Sequence, residues 1–261
     1  MNKFNGVILT GLILLIVGCG GSGDDSPLKV SDLNFNESKI QNCIDKEYVS
    51  DVTSLPCTDV SGVNDWSDLA LLPNLKTIYL FTNGPDEDPI NIDLVYAPNL
   101  EFLTITDVAI SEINLTENHQ LKTISLVSAT SLESIDLTSN TQLEEITIKG
   151  SPAIDTILTG TMNNLTKATV ENTLIDEFSI DALNLRYLDL NYNSRLSNLN
   201  LENAPNIVGL VSVFNDLNYV DFSPLVDTNA TLIIADNPFN DEMLSYIESL
   251  IANGVYNITY Q

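Results

Sequence analysis

One apolar spacing recurs along most of the chain and constrains its fold more than any other feature. In each copy, a leucine or isoleucine is followed by a second apolar residue three positions later and by a third two positions after that. An amphipathic helix would instead need apolar residues at i, i+3, i+4 and i+7. The spacing therefore predicts short strands that point the same side chains inward. Full copies occur at Leu75/Ile78/Leu80, Leu100/Leu103/Ile105, Leu121/Ile124/Leu126, Leu143/Ile146/Ile148 and Leu185/Leu188/Leu190, weaker ones begin at Leu165 and Ile207, and a last copy is truncated to Leu232/Ile234.

Successive copies start about 22 residues apart, and a second set lies about halfway between them. A single turn of this kind cannot bury its apolar face, so the turns must stack and share one continuous core. Counting back from Leu232 in single repeats reaches the middle apolar residue of seven earlier copies. These copies are predicted to form the strands of one sheet, and they begin at residues 75, 100, 121, 143, 165, 185 and 207. A β-sandwich or barrel is the alternative fold, although neither requires so constant a period. The second set comprises Ile110/Ile113/Leu115, Leu132/Ile135/Leu137, Leu196/Leu199/Leu201 and Leu217/Val220/Phe222.

Two segments resemble the repeat unit of bacterial leucine-rich repeat proteins, L-x-x-L-x-L-x-x-N-x-L: "LKTIYLFTN" at 75–83 and "LRYLDLNYN" at 185–193. The resemblance implies an α/β-type repeat solenoid, a horseshoe or arc of mostly short parallel β-strands, over residues 75–236. At the asparagine position of the unit, an amide can satisfy backbone groups of the turn. That position holds Asn83, Asn193, Asn215 and Asn237, whereas Val108, Ala129, Ser151 and Thr173 interrupt the ladder.

The ends of a solenoid need caps, because an open end exposes the core. Residues 35–74 resemble the cysteine-containing N-terminal cap of this family, with a helix in "FNESKIQNCI" (35–44) and a first strand in "VTSLPC" (52–57). In such caps the two cysteines join the helix to the first strand. The resemblance thus implies a disulfide between Cys43 and Cys57, and two buried free thiols are the alternative.

Residues 237–261 resemble the closing unit of the family, a helix followed by a strand. We expect Asn240 or Asp241 to cap the helix, Gly254 to end it, and "VYNITY" to form the strand. The apolar face of the helix is predicted to hold Met243, Leu244, Ile247, Leu250 and Ile251.

Residues 1–18 form a predicted signal peptide, with Lys3 ahead of the apolar run "VILTGLILLIV". The following "IVGC" at 16–19 resembles the lipobox of bacterial lipoproteins, which implies that Cys19 is lipidated and that residues 19–34 form a tether. An ordinary signal peptide with an incidental cysteine is the alternative. Because Gly20 is not the aspartate associated with inner-membrane retention, the resemblance implies an outer-membrane lipoprotein of the cell envelope, with exposure at the cell surface left open.

Charge and residue inventory exclude several functions. The formal net charge of −26 and the scattered basic residues exclude a nucleic-acid partner. The chain has one histidine, His119, and no zinc, P-loop or dinucleotide motif, so no catalytic residue, metal or cofactor is expected. Two exceptions stay open, namely an exported hydrolase that uses His119 and a calcium ion in the acidic loop at 84–89.

The surface expected to act is the outward face of the predicted sheet, which is the concave face in this family. Its middle is rich in hydroxyl groups, and exposed aromatic side chains, common anchors of interfaces, gather near both ends. The sequence thus predicts a non-enzymatic binding protein that recognises a protein or a glycan through this face. A structural role in the envelope and ice binding through Thr104, Ser125, Thr147 and Thr169 are alternatives. The predicted binding residues are Tyr79, Phe81, Phe102, Tyr187, Tyr192 and Phe214.

Overall fold

The computed structural model describes residues 26–81, 88–225, 229–254 and 257–260. The described chain is built mainly of short strands, with one helix near each end. The helices are α1 (Ser38–Asn42) and α2 (Asp241–Ala252), and short 3-10 turns cover Val30–Asp32, Val49–Asp51, Ser67–Leu71 and Ser223–Leu225. The strands are β1 (Ser54–Cys57), β2 (Thr77–Phe81), β3 (Ile90–Asp93), β4 (Phe102–Thr106), β5 (Ile110–Asn114), β6 (Thr123–Val127), β7 (Ser134–Leu137), β8 (Glu145–Lys149), β9 (Thr156–Thr159), β10 (Lys167–Glu171), β11 (Glu177–Ser179), β12 (Tyr187–Asp189), β13 (Asn198–Asn200), β14 (Gly209–Val211), β15 (Thr231–Ile233) and β16 (Asn257–Thr259).

Ten strands form one parallel sheet in the order β1-β2-β4-β6-β8-β10-β12-β14-β15-β16. All seven strands predicted from the repeat spacing lie in it, together with β1 of the N-terminal cap, β15 and the final strand β16. The predicted register is also confirmed, because Ile78 opposes Leu103 on the next strand and Leu210 opposes Leu232 at the other end. The prediction of a solenoid of short parallel strands is therefore correct, and the sandwich or barrel is not.

The second half of each turn runs along the opposite side, where β3 pairs with β5, β7 with β9, and β11 with β13. One strand of each pair, namely β5, β7 or β13, comes from the second set of apolar residues, whereas β3, β9 and β11 were not predicted. The last copy of that set differs, because Leu217, Val220 and Phe222 are buried without forming a strand and lead into the 3-10 turn Ser223–Leu225. Burial of these side chains thus depends on their spacing rather than on strand hydrogen bonds.

The inward side chains of the strands build one core that continues from turn to turn. One row across the ten-stranded sheet places an apolar residue of every strand beside its equivalent on the next. From β1 to β15 these side chains are essentially inaccessible to water, so each turn depends on both neighbours for its apolar burial. The row consists of Leu55, Ile78, Leu103, Ile124, Ile146, Ala168, Leu188, Leu210, Leu232 and Ile258.

The N-terminal cap contains the predicted helix, strand and disulfide. Cys43 and Cys57 are bonded, with their Cα atoms 4.9 Å apart, so the free-thiol alternative is wrong. The cap begins earlier than expected, because Val30 is buried and its backbone nitrogen donates to Glu47 O at 2.9 Å. The backbone nitrogen of Val49 likewise donates to Leu28 O at 3.0 Å. Residues 28–34, assigned above to the tether, therefore belong to the folded cap.

The C-terminal cap is the predicted helix followed by a strand. Asn240 rather than Asp241 caps α2, and its side-chain oxygen accepts a hydrogen bond from the backbone nitrogen of Met243 at 2.8 Å. Gly254 follows the helix with φ +66°, a conformation that glycine adopts without steric cost. On the predicted apolar face of the helix, Met243 and Ile247 are buried, whereas Ile251 lies at its edge and is 44% exposed.

Buried side chains satisfy the backbone where each turn leaves the ten-stranded sheet. Asn193 and Asn215 are buried at the predicted asparagine position, and Asn83 lies outside the described residues. Ser151 and Thr173 at the same position also make hydrogen bonds to neighbouring turns, so the ladder is less interrupted than expected. A second, unpredicted ladder lies on the opposite side, where Nδ2 of Asn118 donates to Leu94 O and Ala97 O, and Nδ2 of Asn140 to Leu115 O and Asn118 O.

Candidate binding surface on the ten-stranded sheet

The concave face is defined here as the side chains that β2 to β15 of the ten-stranded sheet point away from the core, together with the residues at the strand exits. Alternation along each strand sorts them into columns that run across the sheet. The entry column is Thr77, Phe102, Thr123, Glu145, Lys167, Tyr187, Gly209 and Thr231, and the middle column is Tyr79, Thr104, Ser125, Thr147, Thr169, Asp189, Val211 and Ile233. The exit column holds Phe81, Thr106, Val127, Lys149 and Glu171.

All six aromatic residues predicted for binding lie on this face and are between 37% and 58% exposed. Tyr79 and Phe81 on β2 stack with their ring centroids 6.4 Å apart, and Phe102 lies on the next strand, β4. These three residues are the first aromatic cluster. Tyr187, Tyr192 and Phe214 are the second, toward the other end of the sheet.

The second cluster contains two aromatic residues in an unusual backbone conformation. Tyr192 and Phe214 have φ of 60° and 57°, and their rings stack with centroids 5.0 Å apart and planes 9° apart. Bulky side chains are rare in this left-handed region, where strain is on the order of 1–3 kcal/mol. At the same position, other turns carry small or polar residues that tolerate it: Asp107, Ser128, Gly150, Asn172 and Asp236.

A missing side chain makes room for Tyr187 in the second cluster. Gly209 faces Tyr187 on the neighbouring strand, and a Cβ atom at position 209 would lie 3.0 Å from Cδ1 of the tyrosine ring. The ring therefore lies against the backbone of β14, the strand that leads to Phe214. No feature of the sequence pattern assigned this function to Gly209.

Ion pairs between neighbouring strands also lie on this face and at its entry edge. Lys149 binds Glu171 at 3.0 Å, and Lys167 binds Glu145 at 2.7 Å. At the entry edge, Glu101 accepts from Lys122 at 2.6 Å and from Lys76 at 2.7 Å, and these hydrogen bonds lower the pKa of Glu101 to about 2. These cations are thus held by carboxylates of the same face.

Asp189 lies in the middle column beside Glu171. The pKa of Asp189 is raised to about 6, mainly because partial burial disfavours the charged carboxylate. The negative charge of Glu171 and its hydrogen bond with Asp189 raise the pKa further, whereas a hydrogen bond from the backbone amide of Asn191 lowers it. Its Oδ1 atom is buried and accepts no hydrogen bond from the described residues. The Asp189 carboxyl therefore has a higher pKa than an ordinary aspartate and retains its proton more readily. Alternation along the strands places both residues on the outward face, but only the inter-strand contact shows that they interact.

The structure gives the alternative chemistries little support. His119 is exposed in a turn, and its Nδ1 atom lies 3.2 Å from Ser139 O rather than against a carboxylate. In the described ranges, no group of three or more His, Cys, Asp or Glu side chains is placed to hold a metal ion. The proposed calcium loop lies mostly outside the described residues, as does Cys19. Within those ranges, the structure contains no helix with the length and apolar character needed to span a bilayer. Thr169 is buried, which removes one of the hydroxyl groups of the ice-binding column from the surface.

Comparison with solved structures identifies the fold. The functional domain of InlJ from Listeria monocytogenes, which includes a cysteine ladder, is similar over 78% of this chain, with a TM-score of 0.50 and 20% sequence identity. The fold is a leucine-rich repeat solenoid. The match covers 50% of the InlJ domain, so this chain spans about half its length. No family model and no curated protein matches the sequence. All three cysteines of this chain precede residue 75, and its repeats carry buried asparagine, serine and threonine side chains.

Proposed function

We propose that this chain is a non-enzymatic binding lipoprotein of the bacterial envelope, whose repeat scaffold recognises a protein or glycan partner through the concave face. The observation that carries the proposal is the stacked pair Tyr192 and Phe214. Both rings are exposed and held by left-handed backbone, so core packing does not account for them. Backbone strain of this kind is concentrated at functional sites.

The remaining aromatic residues support the same surface. Large apolar side chains on a sheet face that nothing in the described chain covers favour a docking site, because an exposed aromatic ring gains from burial by a partner. Tyr79 and Phe81 are also stacked on each other, which fixes their ring planes before binding and lowers the entropy lost in a complex.

The proposed anchor is a lipid on Cys19. The folded cap begins at Leu28, so nine residue steps separate it from the cysteine. A fully extended chain of that length spans at most about 30 Å, which keeps the solenoid close to the membrane surface. Several acyl chains on one cysteine would make the attachment nearly permanent, since each buried methylene contributes ~0.8 kcal/mol.

A Cys19→Ser substitution tests the anchor. The variant is expected to leave the membrane fraction or to accumulate as the uncleaved precursor, because the lipidated residue is absent. If the variant fractionates with membranes and migrates as the unchanged protein does, the lipoprotein assignment is wrong. Protease treatment of whole cells then decides between the surface and the periplasmic face.

A photo-crosslinking amino acid tests the binding surface while the partner is still unidentified. Placed at Phe214 or Phe81, it is expected to capture a specific molecule in intact cells, whereas the same group at Tyr96 is not. Tyr96 is a matched control, because it is 41% exposed but lies outside the ten-stranded sheet. If crosslinks form only with structural components of the envelope, the protein has a structural role there and does not recognise a separate partner.

Substitutions then measure how much the aromatic residues contribute. Tyr79→Ala combined with Phe81→Ala is expected to weaken any captured partner by about tenfold or more, as is typical for lost aromatic anchors. The fold should be retained by circular dichroism. If this double variant binds normally while changes at Asp86 and Asp88 abolish binding, the site lies on the acidic loop and the concave assignment is wrong.

A further inference from the structure

The charges of the repeats are strongly segregated between the two sides of the solenoid. Among the described residues between 75 and 225, five of the six Lys and Arg residues lie on, or directly before, strands of the ten-stranded sheet. Those five are Lys76, Lys122, Lys149, Lys167 and Arg186, and the sixth is Arg195. Of the nineteen Asp and Glu residues in the same range, only five lie there: Glu101, Glu144, Glu145, Glu171 and Asp189.

The concave face and its entry edge therefore carry a formal charge of only −1, because Asp107 at the exit of β4 adds a sixth carboxylate to the five cations and five carboxylates above. Four of the five cations are paired with carboxylates of the same face, and Arg186 donates to Asn206 O at 3.4 Å. The other sides hold thirteen acidic residues against Arg195 alone in the same described range. A cationic partner is thus attracted mainly to the acidic sides, and the net charge of −26 repels polyanions from the whole molecule.

The aromatic residues are arranged unlike those of most protein interfaces. Energetically dominant residues of such interfaces cluster near the centre and polar groups form the rim. Here the two aromatic clusters lie at opposite ends, because Tyr79 on β2 and Tyr187 on β12 are five strand steps apart. At the usual strand spacing this separation is about 24 Å. Between them the middle column presents Thr104, Ser125 and Thr147.

We propose that the concave face binds an extended, uncharged polysaccharide that lies across the strands and contacts both aromatic clusters. This inference rests on the proposed function and specifies its ligand. The C–H groups of a sugar ring carry partial positive charge and stack on the negative face of an aromatic ring. Sugar hydroxyl groups match the hydroxyl groups of the middle column, which both donate and accept hydrogen bonds. A neutral polymer meets little net charge on this face.

Gly209 gives a structural reason for the proposed contact between the polysaccharide and the second aromatic cluster. Its missing side chain lets the Tyr187 ring lie against β14, beside the strand that leads to Phe214. A Gly209→Ala substitution pushes this ring by a few tenths of an ångström without removing any aromatic group. It is therefore a probe of ring position, which a general loss of apolar surface does not reproduce.

The test uses the full-length protein purified in detergent and affinity electrophoresis against immobilised polymers. The neutral probes are cellulose oligomers, xyloglucan, mannan and dextran, the anionic probe is alginate, and the cationic probe is polylysine. At least one neutral probe is expected to bind, with an affinity that changes less than about twofold between about 50 and about 500 mM salt. Oligomers shorter than about 24 Å should bind at least about tenfold more weakly, because they reach only one cluster.

Variants distinguish this mode from non-specific association. Tyr79→Ala and Tyr187→Ala should each weaken the neutral probe by about tenfold, Gly209→Ala by less, and Tyr96→Ala not at all. Polylysine binding, in contrast, should disappear in high salt, and its affinity should be unchanged in the aromatic variants. Loss of polylysine binding in the aromatic variants would overturn the assignment.

The failure of this inference differs from failure of the proposed function. If every neutral probe fails while the photo-crosslinker at Phe214 captures a protein, the polysaccharide assignment is wrong and the concave binding surface stands. If the neutral probes fail and the crosslinker captures nothing beyond the Tyr96 control, both proposals are wrong.

Discussion

The amide oxygen of Asn193 accepts hydrogen bonds from both the backbone nitrogen and Oγ1 of Thr173, at 3.0 Å and 2.7 Å. Nδ2 of Asn193 donates to Val170 O at 2.8 Å, and its backbone nitrogen donates to Oδ1 of Asn215 at 2.8 Å. The Asn193 side chain is fully buried, so water cannot replace these partners. This one residue therefore joins three successive turns.

An Asn193→Ala substitution is expected to lower the free energy of unfolding by about 2–4 kcal/mol, because buried polar groups of Val170 and Thr173 lose their partner. Urea unfolding followed by circular dichroism measures the loss. Asn198→Ala is the matched control, since Asn198 is exposed on β13, and it should change stability by less than about 0.5 kcal/mol. Equal losses in both variants would show that the buried amide is not a special contact.

Core and surface positions of the solenoid should respond differently to truncation. Leu190→Ala, like Leu137→Ala, is expected to cost ~2–5 kcal/mol, because each side chain is fully buried and leaves a cavity. Phe214→Asn should change stability by less than about 1 kcal/mol, since relief of left-handed strain offsets the lost stacking on Tyr192. Thermal and urea unfolding of the variants measure both effects, and a large loss at Phe214 would assign that ring a structural function.

The disulfide should stabilise the cap that closes the core. Replacing both Cys43 and Cys57 with serine is expected to cost roughly 3 kcal/mol, the loop-entropy value for a bridge across 14 residues. Reduction of the unmodified protein should give a similar loss in unfolding experiments and leave the double variant unchanged. A reductant effect that persists in the double variant would rule out this bridge as its cause.

Asp189 should make stability fall as the pH rises from about 4 to about 6. Its pKa in the folded protein is about 6, above the ordinary value of 3.8, so the folded state binds the extra proton within this window. Above pH 6 the charged carboxylate beside Glu171 is destabilising. Asp189→Asn is therefore expected to remove this slope and to raise stability at neutral pH by about 1 kcal/mol, a value reduced because the group is partly exposed.

Asp136 is a control of opposite sign for this pH effect. Hydrogen bonds from Oγ1 and the backbone nitrogen of Thr138 lower the pKa of Asp136, so its charged form stabilises the fold above the unfolded pKa. That contribution is lost as the pH falls through the lowered pKa, and Asp136→Asn should reduce stability at neutral pH. Urea unfolding at a series of pH values tests both aspartates, and slopes of the same sign would contradict this account.

The fold was predictable because each turn must bury the same side chains in one shared core. This requirement produces a regular spacing of apolar residues in the sequence. The spacing alone predicts that Ile78 lies beside Leu103 and Leu210 beside Leu232. The boundary of the N-terminal cap was less predictable. Val30 belongs to no repeat, and only its contact with the segment around Glu47 shows that it is folded.

The candidate site was predictable to the level of columns and no further. Alternation along a strand determines which side chains point outward, so the sequence placed Tyr79, Phe81 and Tyr187 on the concave face. The asparagine ladder was only partly predictable, because Asn118 and Asn140 lie in the half-turns where the motif does not specify an amide.

The sequence by itself determined the period, the direction of each side chain and the core of this solenoid, since apolar burial depends on spacing alone. Only the tertiary structure decided which outward residues interact: Glu171 with Asp189, Tyr187 with Gly209, and Tyr192 with Phe214. Each pair joins neighbouring turns about 20 residues apart. Such contacts depend on backbone φ, side-chain rotamers and the exact packing of adjacent strands, which a repeating apolar pattern does not specify.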